Sequence, residues 1–328
     1  MTRISPLQIV PPPFRATWNE DNKSLQQEPI YRARQIGQKV AAFFRKLGIP
    51  QVLPSPPSSM KNLIKYSILP ATHALPEDKA AVKDTFDEFW GRTVTHELVQ
   101  KLNQEHPGIG TKYKTIRDNF VAETVEIVTP DGVTLKAILV RPKEKKADST
   151  IIRFSGSKDL AFENAGSKSA HLLLESLDRK EPANFVFFDY RGVGDSSGTF
   201  KTTRNLFIDG SSVVQWVEKG LGTSPRNIHF FGSGSIGTIA AISTQALNPA
   251  KFTGRQLVQR SAPSLFGRIR DCFIRFSRRL YGHHVDVAPA LSKLESRTLV
   301  LYNKRGNNAD HLVQQAAEFL FRGKKQQG

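Results

Sequence analysis

The chain has 328 residues, of which 39% are hydrophobic, so it can hold one large α/β domain with an extension or two modest domains. Its single cysteine excludes an internal disulfide and any metal site built from several cysteines. The formal net charge of +17 favours acidic surroundings such as nucleic acid, an anionic membrane or an acidic protein, although a solvated basic surface explains it equally well.

The N-terminal sequence MTRISPLQIVPPPF lacks the apolar stretch of a secretory signal, and no segment approaches the roughly 18 apolar residues of a membrane span. We therefore expect a soluble protein that stays in the cytoplasm or leaves it by a route that reads no such signal. No zinc-finger spacing or RNP-like aromatic motif occurs, so specific nucleic-acid recognition is not expected.

Residues 1–119 are predicted to form a Pro-rich and helical N-terminal extension. Residues 1–27 are rich in proline and polar residues and are expected to be irregular. A helix is predicted after Pro76, since proline suits the first helical turn and Glu77 and Asp78 follow at the positive end of the helix dipole. Its apolar residues recur with helical spacing and predict a buried stripe, composed of Val82, Phe86, Phe89, Trp90, Val94, Leu98 and Leu102.

Residues 120–328 alternate between strand and helix patterns. FVAETVEIVTPDGVTLKAILVRP predicts a hairpin with its turn at Asp131-Gly132. The predicted strands that follow are STIIRFSGS, NFVFFDYRG, NIHFFGSGS, RQLVQRSAP and RTLVLYN. They are nearly continuous in apolar residues and are separated by helices, which predicts a mostly parallel sheet covered by helices on both faces.

The segment FGSGSIG, residues 231–237, has two interpretations. Its three glycines match G-x-G-x-x-G, the phosphate-binding fingerprint of dinucleotide-binding folds. That fingerprint requires an acidic residue about 20 positions later for the ribose hydroxyls, and no Asp or Glu lies between Gly232 and Asp271. NAD(P) binding is therefore a minor alternative, supported only by Arg255 and Arg260, which would suit a 2′-phosphate.

The second interpretation is a serine nucleophile elbow, with S-x-S-x-G in place of the usual G-x-S-x-G. Ser235 would be the nucleophile, at the turn between strand NIHFF and helix IGTIAAISTQAL. Ser233 and Gly237 are small, as the turn requires where it presses against neighbouring backbone. The positive potential at the start of the helix would help an oxyanion to form nearby.

Three segments together resemble the α/β-hydrolase superfamily. FFDYRGVGDSSG (187–198) resembles the D-x-R-G-x-G-x-S-x-G loop after the fourth strand of that fold. Residues 208–237 are similar to its helix–strand–elbow stretch, and residues 129–142 resemble its opening hairpin. The resemblance covers roughly residues 120–320 and implies an α/β-hydrolase-like fold. The long extension and basic charge most resemble the hydrolase-like chlamydial proteins of the CHLPS type.

The resemblance implies an oxyanion hole built from two backbone N–H groups. One belongs to the residue after the nucleophile, here Ile236. The other comes from the loop after the third strand, Ser155-Gly156-Ser157, with Ser157 as the preferred donor. The same loop can also be read as an ordinary turn at a strand end.

The resemblance also implies an acid after strand RTLVLYN and a histidine beyond it. Gly306 occupies the usual acid position, and Asp310 four residues later is either the acid or the N-cap of the last helix. The chain ends 18 residues after Asp310 (328 − 310), so we expect the C-terminal strand of the fold, and the usual base, to be missing. The weak substitutes for that base are His311, His283, His284, His171 and His229.

Residues 264–292 are predicted to form a cap-like basic insertion. Apolar residues recur through it with helical spacing, and Asp271 is its one acid among residues 264–284. The insertion either packs on the core as a cap, with its cations in water, or lies on an anionic membrane. The cations are Arg268, Arg270, Arg275, Arg278 and Arg279.

Two functions follow from these patterns. The first is a serine hydrolase for an ester, thioester or amide, without a metal or cofactor, whose missing histidine makes activity doubtful because loss of that base can cost about 10⁶ in turnover. The second is a non-catalytic protein with the same fold that engages an anionic membrane or a partner.

Overall fold

The structure is a computed structural model and describes residues 14–16, 86–87, 89–91, 94–105, 108–144, 146–156, 160–165, 170–179, 182–200, 203–261, 290, 292–294, 296–303 and 319–320. Its strands are β1 (Phe14–Arg15), β2 (Phe120–Val128), β3 (Thr134–Pro142), β4 (Ser149–Phe154), β5 (Ala183–Phe188), β6 (Ile228–Ser233), β7 (Gln256–Ser261) and β8 (Thr298–Asn303). Its helices are α1 (His96–Glu105), α2 (Ile109–Asn119), α3 (Ala161–Ala165), α4 (Ala170–Asp178), α5 (Thr203–Lys219) and α6 (Gly234–Gln245). A 3₁₀ turn, Pro225–Asn227, precedes β6.

The described strands form one sheet in the order β1-β2-β3-β5-β4-β6-β7-β8. Strand β3 is antiparallel to β2 and to β5, and the other described pairs are parallel. The turn between β2 and β3 contains Gly132 at φ +83°, a left-handed conformation that glycine adopts without strain. Both the predicted hairpin and the mostly parallel sheet are confirmed.

Each face of the sheet carries its own hydrophobic core. In β5, Val186 and Phe188 belong to the first core, which α5 and α6 cover. Phe185 and Phe187, whose side chains point the other way, belong to the second core, which α2, α3 and α4 cover. The prediction of helices on both faces is therefore confirmed.

Described residues between positions 86 and 119, from the predicted extension, pack against the second face of the sheet. The ring of Phe86 lies 4.9 Å from that of Phe162, and Trp90 Nε1 donates a hydrogen bond of 3.1 Å to the Ala165 carbonyl. Phe86 is buried, and Ile116 of α2 is fully enclosed. This part of the predicted apolar stripe serves as core packing.

The sequence predicts one helix across that stripe, whereas the structure interrupts it. Val94 and Thr95 are not helical, and α1 begins at His96. The Leu98 N–H donates to Thr95 Oγ1 at 3.2 Å, as in an N-cap, so the threonine starts a new helix. Apolar spacing does not reveal such a local cap.

Residues 14–16, which the sequence places in an irregular segment, lengthen the sheet by one strand. Phe14 pairs with Ile127 in parallel register, and the Ala16 N–H donates to the Val128 carbonyl at 2.6 Å. Ala16 is buried, and Phe14 packs against the first core. The outer edge of β2 is therefore covered along these residues.

Candidate active site

Strand β6 passes into α6 without an intervening loop. Ser233 ends the strand with extended backbone (φ −110°, ψ 140°), and Gly234 begins the helix at φ +64°. The chain therefore turns from strand to helix at a single left-handed residue. Ser235 follows as the second residue of α6.

Two glycines let this turn pack closely, Gly237 against the end of β4 and Gly232 against the start of α6. A Cβ on Gly237 would lie 2.1 Å from the Phe154 carbonyl oxygen and 2.9 Å from that of Ser155. A Cβ on Gly232 would lie 2.7 Å from the Gly237 carbonyl oxygen. Both contacts are with backbone, which cannot move aside as a flexible side chain can, so glycine is required at both positions.

The start of the loop after β4, where the sequence predicts half of an oxyanion hole, is held by α3. Asn164 Nδ2 donates to Ser155 Oγ at 2.9 Å, and both residues are buried. The Ala161 N–H, at the start of α3, donates to Asp189 Oδ1 at 2.8 Å. The Ser155 end of the loop is thus held by Asn164 of α3, and the start of that helix is itself held by Asp189.

Ile236, the other predicted oxyanion donor, lies in the first turn of α6, where backbone N–H groups have no partner within the helix. Its side chain is buried in the first core. The donor role of its N–H stays a prediction.

Most of the other predicted site residues lie outside the part of the chain that the structure describes. They are Ser157, Asp310, His283, His284 and His311, together with the basic residues Arg268, Arg270, Arg275, Arg278 and Arg279. His171 lies in α4 and His229 in β6.

His229 is poorly placed to serve as a base at the elbow. It lies five residues before Gly234 on an extended strand, a separation of about 16 Å. Its Nδ1 accepts a hydrogen bond of 3.0 Å from the Arg255 backbone N–H. Burial, together with the Arg255 charge, lowers the pKa of His229 to about 4. The ring is therefore neutral and structural at neutral pH.

This lowered pKa predicts a specific loss of stability in acid. Because the folded state resists protonation that the unfolded chain accepts below about pH 6.5, the contribution of His229 is present at neutral pH and is lost as the pH falls towards 4. Between pH 7 and pH 4, the free energy of unfolding of wild type is expected to fall by on the order of 2 kcal/mol more than that of His229→Gln. Urea unfolding at both pH values measures this, and equal losses would contradict the assignment.

Arg191 joins the loop after β5 to two other segments through a pair of carboxylates. Its Nη1 lies 2.7 Å from Asp131 Oδ2 in the β2–β3 turn, and its Nη2 lies 2.7 Å from Asp209 Oδ1 in α5. The Arg191 backbone N–H also donates to Asp209 Oδ2 at 3.0 Å. Burial of Asp131 raises its pKa, but the hydrogen bonds and charge of Arg191 outweigh this and leave the pKa below its ordinary value.

The sequence identifies this loop through the resemblance but predicts no role for its charges. The same loop contains Asp189, which binds the start of α3, so the ion pairs of Arg191 also support the helix that holds Ser155. The charged residues of DYRGVGD are the sequence signal for these ion pairs, but their bonding partners are remote in sequence. In the structure this loop braces the candidate site through the ion pairs of Arg191 and the hydrogen bond of Asp189.

Within the described ranges, no three His, Cys, Asp or Glu side chains come together as a metal site. None of the helices among those residues is long and apolar enough to cross a membrane.

The chain is similar in part to proteins of several sources. It is 34% identical over 123 residues to the uncharacterized protein YfhR of Escherichia coli (strain K12), covering 37% of this chain and 40% of that protein. It is 32% identical over 126 residues to the uncharacterized protein R595 of Acanthamoeba polyphaga mimivirus, covering 38% of each. The chain therefore spans about two fifths of the length of these curated relatives. No protein-family model matches it.

Solved structures with a similar course of the chain include two esterases and a hydrolase homologue. The Pyrococcus furiosus esterase Pf2001 matches at a TM-score of 0.43 and 15% identity, over 64% of this chain and 92% of that one. The acetyl xylan esterase from Paenibacillus sp. R4 matches at 0.42 and 11%, over 80% and 98%. An alpha-beta serine hydrolase homologue from Coxiella burnetii matches at 0.36 and 17%, over 61% and 96%.

The chain's own topology defines its fold. A mixed, mostly parallel sheet carries helices on both faces, and β6 passes directly into α6 at FGSGSIG. The chain has an α/β-hydrolase-like fold.

Proposed function

We propose that the chain is a non-catalytic α/β-hydrolase-fold protein that binds an anionic partner. The observation behind this proposal is that the left-handed residue of the elbow is Gly234 (φ +64°). In a nucleophile elbow the serine occupies the strained turn residue, from which its Oγ is exposed above the sheet. Here that residue has no side chain, and Ser235 comes one position later, inside α6.

The second candidate is a serine hydrolase for an ester, thioester or amide. Ser235 would be the nucleophile and Asp310 the acid, with His283, His284 or His311 as the base. The backbone N–H groups of Ile236 and Ser157 would form the oxyanion hole. The nearness of Ser235 to the turn supports this candidate, since it lies one residue after Gly234.

Ester turnover separates the two candidates. With p-nitrophenyl acetate and butyrate, the non-catalytic proposal predicts equal rates for wild type and Ser235→Ala. An activated serine would make wild type faster by about 10² or more, because nucleophile and base act as a unit. A difference of that size, abolished by Ser235→Ala, would overturn the proposal.

The charge of the chain supports an anionic partner, and a membrane surface is the one we propose. The net charge is +17, and the predicted basic insertion supplies five arginines within twelve residues (268–279). Flotation with vesicles containing 30% phosphatidylserine should recover the full chain, and replacing those arginines with glutamine should reduce recovery. Equal recovery with neutral vesicles would contradict this role.

The finer resemblance to chlamydial CHLPS-type proteins stays a prediction from the sequence. NAD(P) binding stays a minor alternative, weakened by the absence of Asp and Glu between Gly232 and Asp271.

A further inference from the structure

We propose that Gly234 occupies the nucleophile position of the elbow, so that the nucleophile and the adjacent donor each lie one residue closer to the N-terminus than the sequence predicts. Ser235 then takes the place of the residue after the nucleophile, and its backbone N–H, instead of that of Ile236, is the oxyanion donor. This inference deepens the proposed function, because it assigns the position at which the nucleophile is lacking.

The backbone of the turn places the strained residue at position 234. A serine nucleophile lies on the strained residue between strand and helix. In this chain Ser233 is still extended, Gly234 is left-handed at φ +64°, and α6 begins at that same residue. Counted from the end of β6, the strained position is therefore 234.

The space around the glycines of FGSGSIG differs from one position to the next. A Cβ at position 232 or 237 would meet backbone atoms at 2.7 or 2.1 Å, so neither position accepts a side chain. A Cβ at Gly234 would meet, among the described residues, only Gly156 Cα at 3.6 Å, an ordinary contact. Gly234 is also exposed. Space therefore permits a side chain at position 234, at the cost of the left-handed backbone strain that a nucleophile elbow also imposes on its serine.

A side chain at position 234 would point towards the loop after β4. Gly156 belongs to the loop after β4, from which the second oxyanion donor comes in a hydrolase of this fold. A side chain at 234 would thus begin beside that loop. Ile236, by contrast, has its side chain buried in the first core, two residues beyond the turn. The arrangement fits a nucleophile at 234 followed by a donor at 235.

Thiol probes at the two positions test the assignment. Gly234→Cys and Ser235→Cys are each made in the full chain with Cys272→Ser, so that each protein has one thiol. With p-nitrophenyl acetate, the thiolate sulfur attacks the carbonyl carbon and forms a thioester. Nitrophenolate leaves with the electron pair of the broken C–O bond, and the thiol proton goes to water. With iodoacetamide, the sulfur displaces iodide and no oxyanion forms.

The ratio of acylation rate to alkylation rate reports the oxyanion hole and cancels differences in exposure and thiolate fraction. We expect this ratio to be at least about 10-fold higher for Gly234→Cys than for Ser235→Cys, since one oxyanion donor alone contributes about 10² or more in related chemistry. An equal ratio, or a higher one for Ser235→Cys, would overturn the inference.

Two controls keep the test decisive. Thermal unfolding shows whether Gly234→Cys is folded. If Gly234→Cys is unfolded, the ratio of acylation rate to alkylation rate is compared between Ser235→Cys and free glutathione. Equal ratios support the inference, and a ratio for Ser235→Cys about 10-fold above that of glutathione overturns it. Failure here is distinct from failure of the proposed function, which depends on turnover by the wild-type serine.

Discussion

Replacing Arg191 with methionine is expected to lower the free energy of unfolding by about 3–5 kcal/mol. The substitution leaves the Asp209 carboxylate, which is fully buried, without its cation, and an uncompensated buried charge is strongly destabilising. It also removes the contact to Asp131, which links the β2–β3 turn to the loop after β5. Urea unfolding at pH 7.5 measures the loss.

The deficit of Arg191→Met should depend on pH. Burial already raises the pKa of the Asp209 carboxyl to about 6 with Arg191 beside it, and removal of the guanidinium raises it further. A carboxyl with a raised pKa in the folded state binds a proton there that the unfolded chain does not bind until about pH 3.9. The deficit should therefore shrink between pH 8 and pH 5.

Arg141→Met is the matched control, because Arg141 pairs with Glu123 on the surface, where the two side chains are 45% and 34% exposed. This change should cost less than about 1 kcal/mol. A similarly small cost for Arg191→Met, or a deficit that grows in acid, would contradict the bracing role of the buried cluster.

Replacing Gly237 with alanine is expected to cost about 3 kcal/mol or more. The new Cβ would lie 2.1 Å from the Phe154 carbonyl oxygen, so α6 would have to move away from the end of β4. Because α6 also supplies Ile236 to the first core, that movement would disturb packing beyond the turn. Thermal unfolding followed by far-UV circular dichroism measures the change.

Gly91→Ala is the control for this substitution. Gly91 is helical, and a Cβ there would have no described neighbour within 4 Å. The change should be neutral or stabilising by up to about 1 kcal/mol, because alanine favours a helix over glycine. If Gly237→Ala behaved in the same way, the close approach of the elbow to β4 would be wrong.

The sheet could be predicted from sequence because its determinants are local. Strands β4, β5, β6 and β8 contain short apolar runs bounded by turn residues, and the Asp131-Gly132 turn has its own signature. The break before α1 was missed because it depends on one hydrogen bond to Thr95 Oγ1. The short strand at Phe14 was missed because its partner, Ile127, is more than a hundred residues away.

The site was harder to predict, and the reason is visible in FGSGSIG. The sequence predicts a strand, a turn and a helix, but two serines and three glycines are all small enough for several alignments of the turn. Only the backbone shows that the left-handed residue is Gly234. The role of Arg191 was equally hidden, since both of its carboxylate partners lie at least 18 residues away in sequence.

Covalent labelling with a fluorophosphonate probe, mapped by peptide mass spectrometry on wild type and Ser235→Ala, tests the central claim that this elbow has no serine nucleophile. The probe forms a stable bond only with a serine activated at a nucleophile position. We expect no adduct on Ser235 in wild type and an unchanged signal in Ser235→Ala. A stoichiometric adduct on Ser235, absent from the variant, would contradict it.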